Sequence, residues 1–231
     1  VNQVVNLIGT LFGISLLDQG YAMLHASAVV AANDDQAAIF LGNSGSGKSS
    51  LALQLIEAGG YDFVSNDRVL LKAGRRGVHV VGLPKKPRVN PGTLLASRSL
   101  MSLVPADKRP LYEKLSPADL WRLEEKTDID VGRMLGARER LDAWLRRAYS
   151  LEWKPAGKGL TVEPLLAEEA LAAMATTAKD FGAFDLHREE RDMQREFRRI
   201  ARAAEFIAIG GKADPRALAR RIQINPRPVS A

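Results

Sequence analysis

The segment of the chain best suited to chemistry is a run rich in glycine and serine, Gly42-Asn43-Ser44-Gly45-Ser46-Gly47-Lys48-Ser49. It fits the pattern G-x-x-x-x-G-K-[ST] and lies between an apolar run and a segment with helical periodicity. Glycine lets successive backbone N–H groups point at one anion, and the N-terminus of the helix that follows favours negative charge. The pattern therefore predicts a phosphate-binding loop (P-loop) for a nucleoside triphosphate such as ATP.

The last residues of this pattern have separate expected roles. Lys48 would reach the β- and γ-phosphates, and the Ser49 hydroxyl would join the coordination shell of Mg²⁺. ATP and Mg²⁺ are thus the expected cofactors. The remaining triphosphate-binding candidates are Gly42, Asn43, Ser44, Gly45, Ser46, Gly47 and Ser50.

A metal-bound triphosphate also needs an acidic residue, and Asp67 is the first candidate. It follows the short strand predicted after the loop helix, so its carboxylate could reach the Ser49 side of the phosphates. Asp62, at the start of that strand, is the alternative. The need to neutralise phosphate charge favours the metal-binding interpretation of Asp67 over a surface turn.

His25 lies inside an apolar strand, and a lone histidine there is usually a hydrogen-bonded core residue. His79 and His187 have no motif around them and are expected to be exposed. The residue types alone therefore favour a structural role for His25.

A basic loop, residues 84–92, carries Lys85, Lys86 and Arg88 between prolines that preclude regular structure. Such a loop either clamps a phosphorylated or acidic group, since an arginine fork matches phosphate geometry, or is simply solvated. An acidic segment, residues 124–130, is more typical of a helix end and turn than of a metal or subunit contact.

Hydrophobic periodicity predicts the elements that position these residues. We expect one α/β P-loop domain over residues 1–231, with a mixed central sheet, a phosphate-binding core at about 22–92 and a mostly helical part at about 93–231. The first part is predicted as a core helix (4–18), a hairpin (23–31 and 36–41), the loop helix (49–58), a short strand (61–64) and a second hairpin (69–83). The second part is predicted as helices to 149, a short strand (151–153), helices in 164–204, a strand (204–209) and a helix (215–222).

Composition limits the class of protein. The chain has 231 residues, 46% hydrophobic and 26% charged, which is ordinary for one globular domain. It has no cysteine, which excludes disulfides and thiolate metal sites and favours a reducing cytoplasm. Its longest apolar stretch is too short and interrupted to span a bilayer. The first residue is Val1 rather than Met, as in a fragment or a processed chain.

The net charge of +6 and the pI of about 9.7 favour anionic partners. Many basic residues alternate with acidic ones, and no basic run with interleaved aromatic residues is present. The sequence therefore favours phosphate or acidic ligands over nucleic acid.

Four segments, in the same order, resemble the catalytic domain of HPr kinase/phosphorylase, a protein-serine kinase related to phosphoenolpyruvate carboxykinase. The resemblance covers about residues 22–92 and indicates a divergent branch of that family. The segments are Leu24-His25-Ala26-Ser27, the loop Gly42–Ser49, Ala52-Leu53-Gln54-Leu55-Ile56 and Val64-Ser65-Asn66-Asp67-Arg68-Val69.

The resemblance implies that Lys48 and Ser49 hold the triphosphate and Mg²⁺, that Asp67 is the second residue of an acidic pair, and that His25 lies near the reacting phosphate. Asp67, Lys48 and His25 are then the catalytic candidates. The first acid of the pair is Asn66 here, and an amide cannot accept a proton. Either Asp67 or another group is the base, or the chain keeps nucleotide binding without catalysis.

These inferences predict ATP- and Mg²⁺-dependent phosphoryl transfer to a hydroxyl, with a serine of a protein or peptide as acceptor. Arg88 and its lysine neighbours would orient the acceptor or bind the phosphates. The alternatives are a small-molecule kinase with the same loop and a nucleotide-binding sensor without turnover. The phosphorylase reaction of the family is less expected, because it depends on the acid that Asn66 replaces. The family precedent also predicts a ring-shaped homo-oligomer.

Overall fold

A mixed β-sheet forms the centre of the computed structural model, which describes residues 2–83, 85–116, 119–120, 123, 125–153, 157–181, 190–212 and 214–224. The helices are α1 (Asn2–Asp18), α2 (Lys48–Ala58), α3 (Pro91–Ala96), α4 (Arg109–Tyr112), α5 (Val131–Leu135), α6 (Ala167–Thr177), α7 (Glu190–Ala203) and α8 (Pro215–Ile224), with a 3₁₀ helix at Met101–Leu103. The strands are β1 (Ala22–Leu24), β2 (Ala26–Ala31), β3 (Gln36–Leu41), β4 (Tyr61–Asn66), β5 (Val69–Gly74), β6 (Gly77–Gly82), β7 (Arg88–Val89), β8 (Thr127–Asp128), β9 (Asp142–Leu151), β10 (Leu160–Pro164) and β11 (Glu205–Gly211).

Strand order in the main sheet is β1-β5-β6-β9-β3-β2-β4, and β11 joins β9 to β10. The β3–β9 and β9–β11 pairs are parallel, and the other pairs are antiparallel. A separate two-stranded sheet, β7 with β8, carries part of the basic loop. Because β9 and β11 lie in the same sheet as β2–β4, the predicted phosphate-binding core and the later part of the chain share one sheet.

Strand β3 is apolar on both faces because helices cover both sides of the sheet. Phe40 packs in the cluster that contains Leu51 of α2 and Leu218 of α8. Ile39 packs on the opposite side, with Met174 of α6. Successive side chains of β3 thus pack alternately into two cores, one on each face of the sheet. The strand leads directly into the glycine-rich loop.

Strand β9 contradicts the prediction that residues 93–149 are mostly helical and that a strand begins only at 151. Ala143 and Leu145 are buried at alternate positions, as in a strand. The pairing with β3 then shifts register between Leu145 and Arg147, so Arg146 is the extra residue of a β-bulge. The bulge interrupts the period of two that identifies a strand in a sequence. The predicted strand near 204–209 and the helix near 215–222 are confirmed as β11 and α8.

Helix α1 is present but is a core helix only at its C-terminal end. Leu16 and Leu17 are buried, whereas Leu7 and Leu11 are 60% and 58% exposed. The apolar spacing predicts a helix with one apolar face, but spacing alone does not supply the surface that covers it. Within the described residues, no helix combines the length and apolar character that crossing a bilayer requires.

In the Arg/Glu-rich segment the sequence predicts an apolar stripe that faces the core, formed by Leu186, Met193, Phe197, Ile200 and Ala204. Phe197 and Ile200 of α7 are fully buried. Met193 packs against the same cluster, and Leu186 lies outside the described residues.

Candidate functional site

One cleft of about 500 Å³ brings together most of the residues predicted from the sequence. The predicted candidates that line it are His25, Ser44, Gly45, Gly47, Lys48, Ser49, Ser50, Asp67 and Arg88. Gly42, Asn43 and Ser46 belong to the same loop but are not part of the lining. The cleft therefore lies where β3 and β4 end and α2 begins.

The glycine-rich loop, residues 42–47, needs glycine at its two ends. Gly42 has a φ of 144°, and a Cβ there would lie 2.7 Å from Ser46 Oγ and 3.0 Å from Leu151 O. Gly47 is the N-cap of α2, with a φ of 84° in the left-handed region that favours glycine. This geometry places the N-terminus of α2, with its unpaired backbone N–H groups, at the wall of the cleft.

Lys48 is a buried cation held by the loop itself. Its side chain is 6% exposed, and Nζ donates to Gly42 O at 2.7 Å and Asn43 O at 2.9 Å. Burial lowers the pKa of Lys48 to about 8, with the Lys179 charge adding to this and Asp67 opposing it. An anion near Nζ would relieve the cost of burying this charge.

Asn66 is a hydrogen-bond acceptor for two hydroxyl groups. Its Oδ1 accepts from Ser49 Oγ at 2.6 Å and from Ser27 Oγ at 2.8 Å. A hydroxyl that donates its proton to Asn66 keeps its lone pairs for another partner. Asn66 therefore orients Ser49, the residue predicted to bind the metal.

Asp67 has an unusual backbone conformation, and its carboxylate contacts one cation, Lys179, and one imidazole, His25. Among the described residues it is the only non-glycine residue with a positive φ, 79°, which Asp tolerates better than most types. Its Oδ1 lies 2.9 Å from Lys179 Nζ and 3.2 Å from His25 Nε2. Burial alone would raise the pKa of Asp67, but Lys179, His25 and Arg68 outweigh it and hold this pKa below its ordinary value.

His25 is neutral at physiological pH. Burial lowers its pKa to about 4, and the charges of Lys48 and Lys179 act in the same direction, against Asp67. Its backbone N–H donates to Thr177 O at 2.6 Å. His25 is thus an ordered, uncharged partner of the Asp67 carboxylate.

We expect the low pKa of His25 to reduce stability in mild acid. Between its ordinary value of 6.5 and about 4, the unfolded chain binds a proton that the folded protein does not. The free energy of unfolding should therefore fall as the pH falls through this window, and it should fall less in His25→Asn. Urea denaturation at about pH 7 and about pH 4.5 measures this difference. An unchanged pH dependence in the variant would contradict the role given to His25.

Ser50 and Arg88 face the cleft while holding other partners. Ser50 Oγ lies 2.7 Å from Thr93 Oγ1, which links α2 to α3. Arg88 Nε lies 3.0 Å from Asp128 Oδ1, and both side chains are half-exposed. Because the Ser50 hydroxyl is bonded to Thr93, Ser50 would contact a ligand through its backbone N–H, which lies in the first turn of α2.

Asp62, the alternative acid, forms an ion pair with Arg138. Its buried carboxylate accepts from Arg138 Nε at 2.8 Å and from the Arg138 backbone N–H at 2.9 Å. It is not part of the cleft lining. Asp67 does line the cleft and therefore remains the candidate acid.

His79 is partly buried rather than exposed as predicted. Its Nδ1 lies 2.8 Å from Tyr21 Oη and its Nε2 lies 3.0 Å from Asp142 Oδ2. Neither His79 nor its partners line the cleft. His187 lies outside the described residues.

The basic loop forms one rim of the cleft, and the acidic segment supports it. Lys86 pairs with Asp130 at 2.8 Å, as Arg88 does with Asp128. Positive charges outnumber negative ones along the described lining. Its cations are Lys48, Lys85, Lys86, Arg88, Lys126 and Arg216, and its acids are Asp67 and Asp214.

Two residues of the site had no signal in the sequence. Lys179, on the segment after α6, reaches Asp67 from 112 positions away in the chain. Trp153 Nε1 donates to Ser46 O at 2.7 Å, and its ring lies against Gly47. Both act through tertiary contacts, which local motifs and periodicity do not report.

The cleft fits a polar ligand that brings its own phosphate oxygens. Ser49 and Asp67 offer oxygen donors, which Mg²⁺ prefers, and Mg²⁺ commonly takes only one or two protein oxygens when phosphates supply others. Among the described residues, no three His, Cys, Asp or Glu side chains are grouped to hold a metal by themselves.

Two polar atoms of lining residues, Gln54 Oε1 and Asn90 Oδ1, are buried without a hydrogen-bond partner in the described part of the chain. Such groups are usually satisfied by a ligand or water.

Comparisons with known proteins give a distant structural relationship. No protein-family model matches the chain, and the search of curated proteins finds no match. Among solved structures, the chain is similar to the Hpr(Ser) kinase/phosphatase from Coxiella burnetii, with a TM-score of 0.40 and 13% identity over 87% of this chain and 86% of that one. We therefore base the function on the residues of the cleft.

Proposed function

We propose that the protein is a kinase that transfers a phosphoryl group from ATP, with Mg²⁺, to a serine hydroxyl of a protein or peptide. One observation carries this proposal: the buried Lys48, the oriented Ser49 and the Asp67–His25 pair converge on one cationic cleft. Phosphoryl transfer depends mainly on positioning and charge stabilisation, which this set of groups can supply.

The triphosphate would bind against the glycine-rich loop and the N-terminus of α2. Backbone N–H groups of residues 43–45 and 47–50 would donate to phosphate oxygens, whereas that of Ser46 donates to Asn43 O. Lys48 would exchange its two carbonyl acceptors for the β- and γ-phosphates. A phosphate offers the Lys48 ammonium a full negative charge in place of neutral carbonyls. This exchange stabilises the charge of the transferring group.

Ser49 and Asp67 would hold Mg²⁺ on the triphosphate. Mg²⁺ bound there would neutralise the charge on the phosphates and align the γ-phosphate. Ser49 can keep its hydrogen bond to Asn66 while its oxygen faces the metal. Asn66 thus supports the site without acting as a base.

Asp67 is the proposed proton acceptor for the serine hydroxyl. It is ionised at neutral pH because its pKa is held below the ordinary value. The neutral His25 orients it through Nε2. A loose transition state requires little proton transfer before the phosphoryl group leaves, so a weak base at this position suffices.

The basic rim would orient the acceptor. Lys85 and Lys126 are exposed lining residues, and they lie beside Lys86 and Arg88, which are paired with acids. Their charges would attract an acidic or phosphorylated group near the acceptor hydroxyl. A small-molecule acceptor would use the same rim.

The second candidate function, a nucleotide sensor, is favoured by Asn66 and by the pairing of Asp67 with Lys179. With Asn66 and the Asp67–Lys179 pair, the cleft is well suited to bind a nucleotide but less suited to accept a proton from an acceptor hydroxyl. The two functions differ in turnover. A sensor binds ATP without transferring phosphate, and it binds a partner with an affinity that depends on the nucleotide.

Transfer from γ-labelled ATP with Mg²⁺ tests the proposal, with a lysate of the source organism as acceptor pool. A labelled protein band that is lost with Lys48→Ala would support the protein kinase. A labelled metabolite without a protein band would indicate the small-molecule kinase. ATP binding without any labelled product would contradict a kinase and favour the sensor.

Trp153 provides a reporter of nucleotide binding. We expect the tryptophan emission to change when ATP is added, because the Trp153 ring lies against Gly47 and its Nε1 bonds the loop. Trp153→Phe removes this hydrogen bond and should weaken ATP binding about three- to tenfold. Trp144→Phe, which alters a tryptophan whose ring lies 4.9 Å from that of His79 at an angle of 45°, is the matched control and should keep both the emission change and the affinity. Equal effects of the two variants would contradict this role.

A further inference from the structure

Lys179 comes from a late segment of the chain that is fixed against the sheet beside the cleft. Its backbone N–H donates to Met23 O at 2.9 Å, and Ala178 forms an antiparallel bridge with Leu24. His25, the next residue, donates its N–H to Thr177. The segment after α6 thus extends along β1, which places the Lys179 side chain.

The Lys179 ammonium neutralises the carboxylate that faces the metal. Nζ lies 2.9 Å from Asp67 Oδ1, and the Lys179 and Asp67 side chains are 30% and 46% exposed, so solvent screens the pair only in part. The same oxygen is contacted by His25 Nε2 at 3.2 Å. Asp67 therefore offers much less net negative charge than a free carboxylate.

Among the described residues, the other charged groups that act on His25 and Asp67 are all positive. Asn66, in the preceding position, is a neutral amide whose oxygen accepts two hydroxyl protons. Lys48, Lys126 and Arg68 act electrostatically on His25 or on Asp67, and all three are positive. A divalent cation that entered alone would meet these charges without compensation.

We propose that Lys179 is a positioning residue that keeps free divalent cations away from Asp67, so that the metal enters only together with the triphosphate. The negative charge of the phosphates compensates the metal, and Lys179 can then leave Asp67 for a phosphate oxygen. The protein thereby avoids an unproductive complex with metal alone. The inference rests on the proposed function only in treating Asp67 as a metal ligand.

Mn²⁺ binding in the absence of nucleotide, measured by electron paramagnetic resonance of the free ion, tests the inference without reading phosphoryl transfer. We expect wild-type protein to bind Mn²⁺ weakly and Lys179→Met to bind it at least about tenfold more tightly, because an opposing charge next to the carboxylate is removed. Adding Asp67→Asn to Lys179→Met should return binding to the wild-type level. Lys72→Met, which removes a lysine paired with Gln19 O outside the cleft, is the matched control and should change nothing.

An increase of less than about threefold for Lys179→Met would overturn the inference, as would tight Mn²⁺ binding by wild-type protein. An equal increase in the control variant would also overturn it, since a general change in charge would then explain the effect. Circular dichroism checks the fold. If Lys179→Met does not fold, Lys179→Gln keeps a hydrogen-bond donor to Asp67 without the charge and is expected to give the same increase. Absence of ATP binding by the wild-type protein would count against the proposed function and leave the metal result readable.

Discussion

Lys48→Ala is expected to abolish phosphoryl transfer from ATP, with a loss of at least about 100-fold in kcat/KM. Lys48 is the buried cation at the end of the glycine-rich loop, and its Nζ lies within hydrogen-bond distance of two loop carbonyls. A triphosphate in this loop would receive its strongest charge–charge contact from this group. Transfer rates with γ-labelled ATP measure the effect.

Two controls separate lost chemistry from lost folding in this experiment. Lys114→Ala removes an exposed lysine that is not part of the cleft and should keep full activity. A melting curve of Lys48→Ala is the second control, because the substitution also removes two hydrogen bonds to loop carbonyls and a buried side chain. Full transfer activity in a folded Lys48→Ala protein would contradict the proposed site.

Asp67→Asn is expected to lower kcat about 100-fold or more while the protein keeps its fold. The amide preserves the shape of the side chain but removes the charge that would bind the metal and accept the serine proton. We also expect the stimulation by Mg²⁺ to weaken, because Ser49 would remain as the metal ligand from the chain. Initial rates over a range of Mg²⁺ concentrations measure both effects.

Asp142→Asn is a matched control because it alters a second Asp–His pair outside the cleft. Asp142 Oδ2 lies 3.0 Å from His79 Nε2, similar to the Asp67–His25 pair at 3.2 Å. The control should leave kcat unchanged. If Asp67→Asn and Asp142→Asn behaved alike, the assignment of Asp67 as metal ligand and base would be wrong.

The strand–loop–helix around the glycine-rich loop could be predicted closely because its signals are local. The predicted strand 36–41 is β3, and the predicted helix 49–58 is α2 with one more residue. Glycine and serine types, apolar runs and spacing carry this information within a few residues. The predicted hairpin 69–83 is likewise confirmed as β5 and β6.

Elements that depend on distant partners could not be predicted in the same way. The bulge at Arg146 hides the alternation of β9, and the strands that pair with its edges, β3, β6 and β11, come from separate parts of the chain. The contact of Lys179 with Asp67 and that of Trp153 with the loop join positions more than a hundred residues apart. Only the folded sheet brings such pairs together.

For Asn66, the sequence predicts what the side chain cannot do but not which groups it contacts. The sequence indicates that an amide cannot be the base. The structure adds that this amide receives the hydroxyls of Ser49 and Ser27, and so helps to position Ser49. That Asn66 orients the Ser49 hydroxyl follows from the geometry and not from the sequence.

Calorimetric titration with a non-hydrolysable ATP analogue and Mg²⁺ tests the central claim most directly, because it asks whether the cleft binds a triphosphate independently of any acceptor. The proposed site predicts one nucleotide per chain with a Kd of about 100 µM or tighter, and at least tenfold weaker binding by Lys48→Ala. Binding should also weaken when Mg²⁺ is removed. Absence of binding by the folded wild-type protein, or equal binding by Lys48→Ala, would contradict a nucleotide site built on this loop.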